Sequence, residues 1–111
     1  MSGITTHVLD TSRGCPAADV PVVLERAVDS AWRPVGHGST DADGRVRHLL
    51  TTPPADGRYR LTFDTGAYFR ALGETEFYPE VSVTFEVSPS EDHYHVPLLL
   101  SPFGYTTYRG S

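Results

Sequence analysis

The chain contains no lysine, only one cysteine, and no run of apolar residues long enough to cross a membrane. Each absence excludes something. The single cysteine, Cys15, rules out an intrachain disulfide, and the cysteine usage shows no mark of an oxidising compartment. All nine Lys-or-Arg positions are arginine, set against fourteen Asp plus Glu, and the net charge of −5 excludes attraction to nucleic acid or to an anionic membrane surface. No basic-then-apolar leader precedes "MSGITTHVLD" and no Ser-Lys-Leu tripeptide ends the chain, which together predict a cytoplasmic location. Because arginine binds planar carbonyl and carboxylate groups bidentately, a single well-placed guanidinium can matter more here than the acidic balance. The length of 111 residues predicts one domain, 1–111, with a core that needs neither disulfide nor metal.

What is present reads as short strands between turn residues, the pattern of an all-β, two-sheet sandwich. Ile4 to Leu9 is β-branched and apolar and stops at "DTSRGCPAAD", read as a turn segment that includes Cys15. Val20, Val22 and Leu24 share one face of the next strand, whose Pro21 predicts an edge position or an irregular start. A third strand spans Ala31 to Gly38, and Asp43-Gly44 in "TDADGRVRHL" signals a tight turn into a short strand. Tyr59, Leu61 and Phe63 alternate with Arg60 and Thr62, and Val81, Val83, Phe85 and Val87 alternate with Ser82, Thr84 and Glu86. The one helix signal is "DTGAYFRALG", with Asp64 or Thr65 as the cap, Tyr68, Phe69 and Leu72 as the apolar face, and Gly73 just past the end. "HYHVPLLLS" and "GYTTYRG" complete about eight strands.

Histidines and arginines are the candidate reactive groups. Of the five histidines, His37 and His48 flank loops and read as solvent-exposed. His93 and His95 stand two apart on one strand, so both project from the same face at roughly 7 Å, a spacing that can hold a metal. Zinc needs three or four ligands, and no acidic or cysteine partner is visible, so no metal site is expected. The acidic residues of "TDADG" fit a tight turn better than a calcium loop, whose remaining ligands are missing. If Val96, Leu98 and Leu100 face the core, His93, His95 and Pro97 face outward, and His7 likewise lies opposite Thr6 and Val8. Outward histidines can meet across a subunit interface, where burial tunes their pKa. Tyr105 reads as an aromatic packed beside Pro102 and Phe103, and Arg45, taken alone, as the polar residue after a turn.

Four segments together, "HVLD", "DGR", "HYHVPLLLSP" and the final "YRGS", resemble the 5-hydroxyisourate hydrolase branch of the transthyretin family, over Ile4 to Ser111. "TGAYFRALG" looks like that fold's single helix. The resemblance implies a transthyretin-like (prealbumin-like) sandwich of two four-stranded sheets with one short α-helix. It also implies a homotetramer, a dimer of dimers, with active sites in the channel at the dimer–dimer interface. By position, His7, Arg45 and His95 match the family's catalytic trio, and Tyr108 its substrate-binding tyrosine, with Arg109, Gly110 and Ser111 completing the motif. His93 is not carried over, and is read as a surface residue or one supporting the trio. The implied activity opens the N1–C6 ring amide of 5-hydroxyisourate in urate degradation, giving 2-oxo-4-hydroxy-4-carboxy-5-ureidoimidazoline, with no metal or organic cofactor. The competing expectation is a transthyretin-like module that binds a small aromatic ligand without chemistry. The histidine pair with a guanidinium favours the enzyme, since a carrier has no use for proton-transfer groups.

Overall fold

In a computed structural model describing residues 3–88 and 90–111, the strands form two stacked sheets. In the first sheet β1 (Gly3–Asp10) is central. It runs parallel to β8 (His93–Ser101) on one side and antiparallel to β2 (Cys15–Pro16) and β5 (Arg45–Leu50) on the other; β9 (Gly104–Thr107) lies beyond β8. The second sheet is antiparallel throughout, in the order β4 (Ala31–Ser39), β3 (Pro21–Val28), β6 (Gly57–Phe63), β7 (Val81–Val87). The expected pair of four-stranded sheets is therefore present, with the two-residue β2 added to the first. That strand forms inside the stretch read as a turn, and places Cys15 opposite Asp10.

Alternation builds the core. Ile4, Val8, Leu98 and Leu100 from the first sheet meet Val22, Leu24, Leu61 and Phe63 from the second, and none is more than 1 % exposed. Burying each such side chain contributes about 1.5–3 kcal/mol. On β7, Val81 and Val87 are buried while Ser82, Thr84 and Glu86 face water. The Thr6 hydroxyl, also buried, donates to the Val96 carbonyl at 2.6 Å and ties β1 to β8.

The helix α1 spans Thr65–Ala71 and is capped by Asp64, whose carboxylate accepts from the Ala67 N–H at 3.0 Å. It ends with the Gly73 N–H on the Arg70 carbonyl and the Glu74 N–H on the Phe69 carbonyl, a paired closure that uses two of the last free carbonyls. Tyr68 and Phe69 are buried as expected, but Leu72 is the C-cap and is exposed, because the chain turns away there.

Three further expectations change. Pro21 is not on an edge: β3 lies between β4 and β6, and the proline is its first residue, where a missing N–H costs no interior ladder bond. His37 and His48 lie within β4 and β5 rather than beside loops, though both are exposed. Pro97 lies opposite the core-facing residues of β8 yet is buried, since the chain's final residues fold back across it. Tyr105 packs edge-on against Tyr78, with ring centroids 5.4 Å apart, in an aromatic run that continues through Phe77 to Phe103.

Candidate active site

The outward face of the first sheet carries a polar array set by strand register. In the β1–β5 ladder His7 is paired with Arg45, and in the parallel β1–β8 ladder Thr5 is paired with His95 and Gly3 with His93. Paired residues project from the same side, so Arg45, His7, Thr5, His95 and His93 lie on adjacent strands of one face. A cavity of about 340 Å³ opens over this array, lined by Thr5, Arg45, Arg47, His93, His95 and Ser111 among others.

The turn between β4 and β5 places Arg45. Gly44 has φ +77°, and a Cβ there would lie 2.3 Å from the Val8 carbonyl oxygen, so only glycine lets the turn lie against β1. The Val8 N–H then donates to the Gly44 carbonyl at 2.7 Å. Asp41 organises the same turn: one carboxylate oxygen accepts from the Asp43 and Arg45 N–H groups at 2.9 and 3.0 Å, and the other accepts from the Arg47 guanidinium at 2.8 Å. Those bonds, the Arg45 N–H first, hold the Asp41 carboxyl below its usual range. This carboxylate is thus engaged by the backbone, in line with the reading of "TDADG" as a turn.

His7 closes the loop between turn and strand. Its Nε2 lies 2.9 Å from the Asp43 carbonyl oxygen, which can only accept. Nε2 therefore carries the proton, and in the neutral ring the free lone pair is on Nδ1.

His95 is the most constrained of the trio. Its Nδ1 is 2.8 Å from the Thr5 hydroxyl, and its carbonyl accepts from the Gly110 N–H at 2.8 Å. A Cβ on Gly110 would lie 2.7 Å from His95 Cδ2, so the chain's end packs directly on that edge of the ring. With Nδ1 and Cδ2 both covered, the Cε1–Nε2 edge is the one left for the cavity. Burial, the Arg45 guanidinium, and the neighbouring His7 and His93 all push the His95 pKa below the usual imidazole value, which keeps the ring neutral near pH 7.

The predicted residues are thus distributed unevenly. Arg45, His95 and Ser111 line one cavity, His7 stands beside it on the same sheet face, and Gly110 packs on His95. Tyr108 and Arg109 instead border a separate apolar hollow of about 150 Å³ with Val83, Phe85, Tyr94 and Val96. There the Arg109 guanidinium stacks 4.8 Å from the Tyr94 ring centroid and pairs with Glu91 at 3.4 Å. Three participants are not named as site residues from the sequence: Thr5, Arg47 and Asp41, the last read only as part of a turn. The first two carried a signal, since Thr5 is two residues before His7 and Arg47 two after Arg45, each on the face of a residue already singled out.

A two-sheet sandwich with one helix and this histidine–arginine array has known counterparts. The chain belongs to the HIUase/transthyretin family, whose description matches residues 4–110. It is 47% identical over 109 residues to a 5-hydroxyisourate hydrolase of Salmonella typhimurium, covering 97% of this chain and 80% of that one. Among solved structures it is similar to Klebsiella pneumoniae 5-hydroxyisourate hydrolase, with a TM-score of 0.89, 39% identity and full coverage of both chains. It is equally similar in fold to transthyretin from Sparus aurata, with a TM-score of 0.92 and 35% identity over 99% of this chain and 97% of that one. The fold alone therefore does not separate hydrolase from carrier; the side chains on the sheet face must.

Proposed function

We propose that this chain is a cofactor-independent hydrolase that opens the N1–C6 amide of 5-hydroxyisourate to 2-oxo-4-hydroxy-4-carboxy-5-ureidoimidazoline in urate degradation. The observation that carries the reading is the pairing, on one sheet face, of a neutral, partly buried His95 with the Arg45 guanidinium and His7. A ring amide needs a base for the attacking water, positive charge for the oxyanion, and a proton for the departing nitrogen. In the proposed sequence His95 takes a proton from water as its oxygen adds to C6. Arg45, which stays charged, steadies the oxyanion. Collapse breaks C6–N1, the proton passes from His95 to N1, and C6 becomes a carboxyl group that loses its own proton to solvent, so the ring-opened product carries both the carboxylate and the ureido arm. His7 helps to hold the water, and its proton on Nε2 stays with the Asp43 carbonyl.

Family likeness supplies the remaining assignments. Tyr108 and Arg109 are proposed to bind substrate, with Gly110 and Ser111 shaping the wall beside His95. One domain, residues 1–111, is proposed to assemble as a dimer of dimers with sites at the dimer–dimer interface. Two observations support assembly: β7 and β9 are the outer strands of their sheets, and Phe77, Phe103 and Tyr105 are exposed aromatics. A cytoplasmic location is part of the same proposal; no helix of the described residues is long and apolar enough to cross a membrane. Turnover of freshly generated 5-hydroxyisourate by wild type, His7→Ala, Arg45→Ala and His95→Ala tests the trio. Each variant is expected to lose most of its activity while staying folded, and wild-type rates in all three would remove the assignment. A carrier of the transthyretin kind would bind an aromatic ligand and leave the substrate's spontaneous decay unchanged.

A further inference from the structure

We propose that Thr5 is a positioning residue that fixes the tautomer and orientation of His95 for proton transfer. The inference rests on the hydrolase reading above and deepens it. Thr5 is a polar side chain only 6% exposed, on the central strand of its sheet. Its hydroxyl meets His95 Nδ1 at 2.8 Å, and register pairs the two residues across β1 and β8. A buried hydroxyl of this kind is costly unless it has a partner. Thr6, next along the strand, spends its hydroxyl on the Val96 carbonyl, so neighbouring threonines serve different ends: one ties strand to strand and the other ties strand to ring.

A hydroxyl suits this position because its oxygen can accept from Nδ1–H in both protonation states of the ring. In the form of His95 that accepts a proton, Nδ1 carries hydrogen and donates to Thr5, leaving the Nε2 lone pair facing the cavity. After protonation Nδ1–H still donates to the same oxygen, so the partner need not move during the transfer. A carboxylate in place of Thr5 would instead favour the imidazolium and raise its pKa, against the neutral ring that the chemistry needs. The surroundings act in the same direction. Facing His95 are Arg45 and Arg47 from β5, His7 from β1, His93 from its own strand and Ser111 from the end of the chain. The charged side chains on this list are cationic, and a hydroxyl holds the ring without cancelling their effect. Gly110 completes the clamp on the Cδ2 edge.

Thr5→Val keeps the shape and volume of the side chain and removes the hydroxyl; Thr5→Ser keeps the hydroxyl. In the valine variant kcat is expected to fall by roughly 10- to 100-fold with KM little changed, as a ring freed at Nδ1 spends less time aligned. The acid limb of its pH–kcat/KM profile should move to lower pH, because the imidazolium loses an acceptor. The serine variant should recover most of kcat and the wild-type limb. A structural role for Thr5 would change thermal stability without moving that limb. Nitrogen-15 shifts of the wild-type His95 ring give a measurement independent of any variant: Nδ1 should be the protonated nitrogen above the ring's pKa. A valine variant with wild-type kcat and pH profile, or a wild-type ring protonated at Nε2 instead, overturns the proposal. These outcomes are distinct from failure of the hydrolase reading, in which the wild type itself does not turn over substrate.

Discussion

Replacing Gly110 with alanine tests whether the end of the chain shapes the site or merely lies beside it. The backbone at Gly110 is not in the left-handed region, so alanine fits it without strain and the whole effect comes from the added methyl. That methyl would stand 2.7 Å from His95 Cδ2 and 3.3 Å from Pro97 Cγ. Carbon–carbon contacts relax near 3.5–4.0 Å, so the ring or the chain must give way by about 1 Å. Pro97 is buried and cannot retreat, which leaves two responses. Either the His95 ring turns, or residues 108–111 lift and give up the Gly110 N–H bond to the His95 carbonyl. Losing that bond costs about 1 kcal/mol, or roughly 4–8 °C in Tm for a domain near this size. A displacement of about 1 Å at a reacting group costs up to 100-fold in rate. The expected result is therefore a folded protein with kcat/KM lowered by roughly 10- to 100-fold and only a small drop in Tm. Initial rates of 5-hydroxyisourate decay, corrected for the spontaneous reaction, together with a thermal melt by circular dichroism, provide both numbers. An alanine variant within about twofold of wild-type kcat/KM would refute the reasoning, since the overlap would then have been absorbed without touching His95.

Three other outcomes follow from the same geometry. Deleting residues 108–111 removes three exposed side chains, the Arg109–Glu91 pair and one backbone bond, so the sandwich should stay folded by near-ultraviolet circular dichroism while hydrolysis is lost. Asp41→Ala should lower kcat/KM by about tenfold by loosening the turn under Arg45 and the Asp43 carbonyl, whereas Asp41→Asn, which still accepts from the backbone, should retain more activity in the same assay. Because folding depresses the Asp41 pKa, the stability it contributes is present above its unfolded value and is lost as pH falls through the folded one, so the alanine variant should differ less from wild type in acid melts. Tyr68→Phe strands a buried carboxylate oxygen of Asp10, which accepts from the tyrosine hydroxyl at 2.7 Å, and should cost about 1–3 kcal/mol in urea unfolding without affecting the rate.

The periodic elements were legible in the sequence because local burial dictates them. Val81 to Val87 and Val20 to Leu24 alternate as the sheets require, and Asp64 with Gly73 brackets the helix. Strand neighbours were not legible in the same way. Nothing local reveals that β1 pairs in parallel with β8, about ninety residues away, or that β3 with its leading proline is interior. Those pairings depend on which faces complete the core across the whole chain. The trio His7, Arg45 and His95 was named through the resemblance, and outward strand phase alone brought two of them only to a possible site. Thr5 was overlooked because a threonine in a β-branched strand reads as ordinary strand chemistry until its register partner is known. The motif "YRGS" was legible as a unit but not in its division. Gly110 and Ser111 turn toward His95, while Tyr108 and Arg109 turn toward the separate apolar hollow, where Tyr94 and Glu91 hold Arg109.

The central claim is that the face holding His95 and Arg45 performs hydrolysis rather than storage of a ligand. The most direct measurement adds the purified chain to 5-hydroxyisourate freshly made from urate and follows the loss of the substrate's ultraviolet absorbance. The account predicts decay faster than the spontaneous rate in proportion to protein concentration, and a return to the spontaneous rate with His95→Ala. Decay at the spontaneous rate in the presence of folded wild-type protein would contradict it.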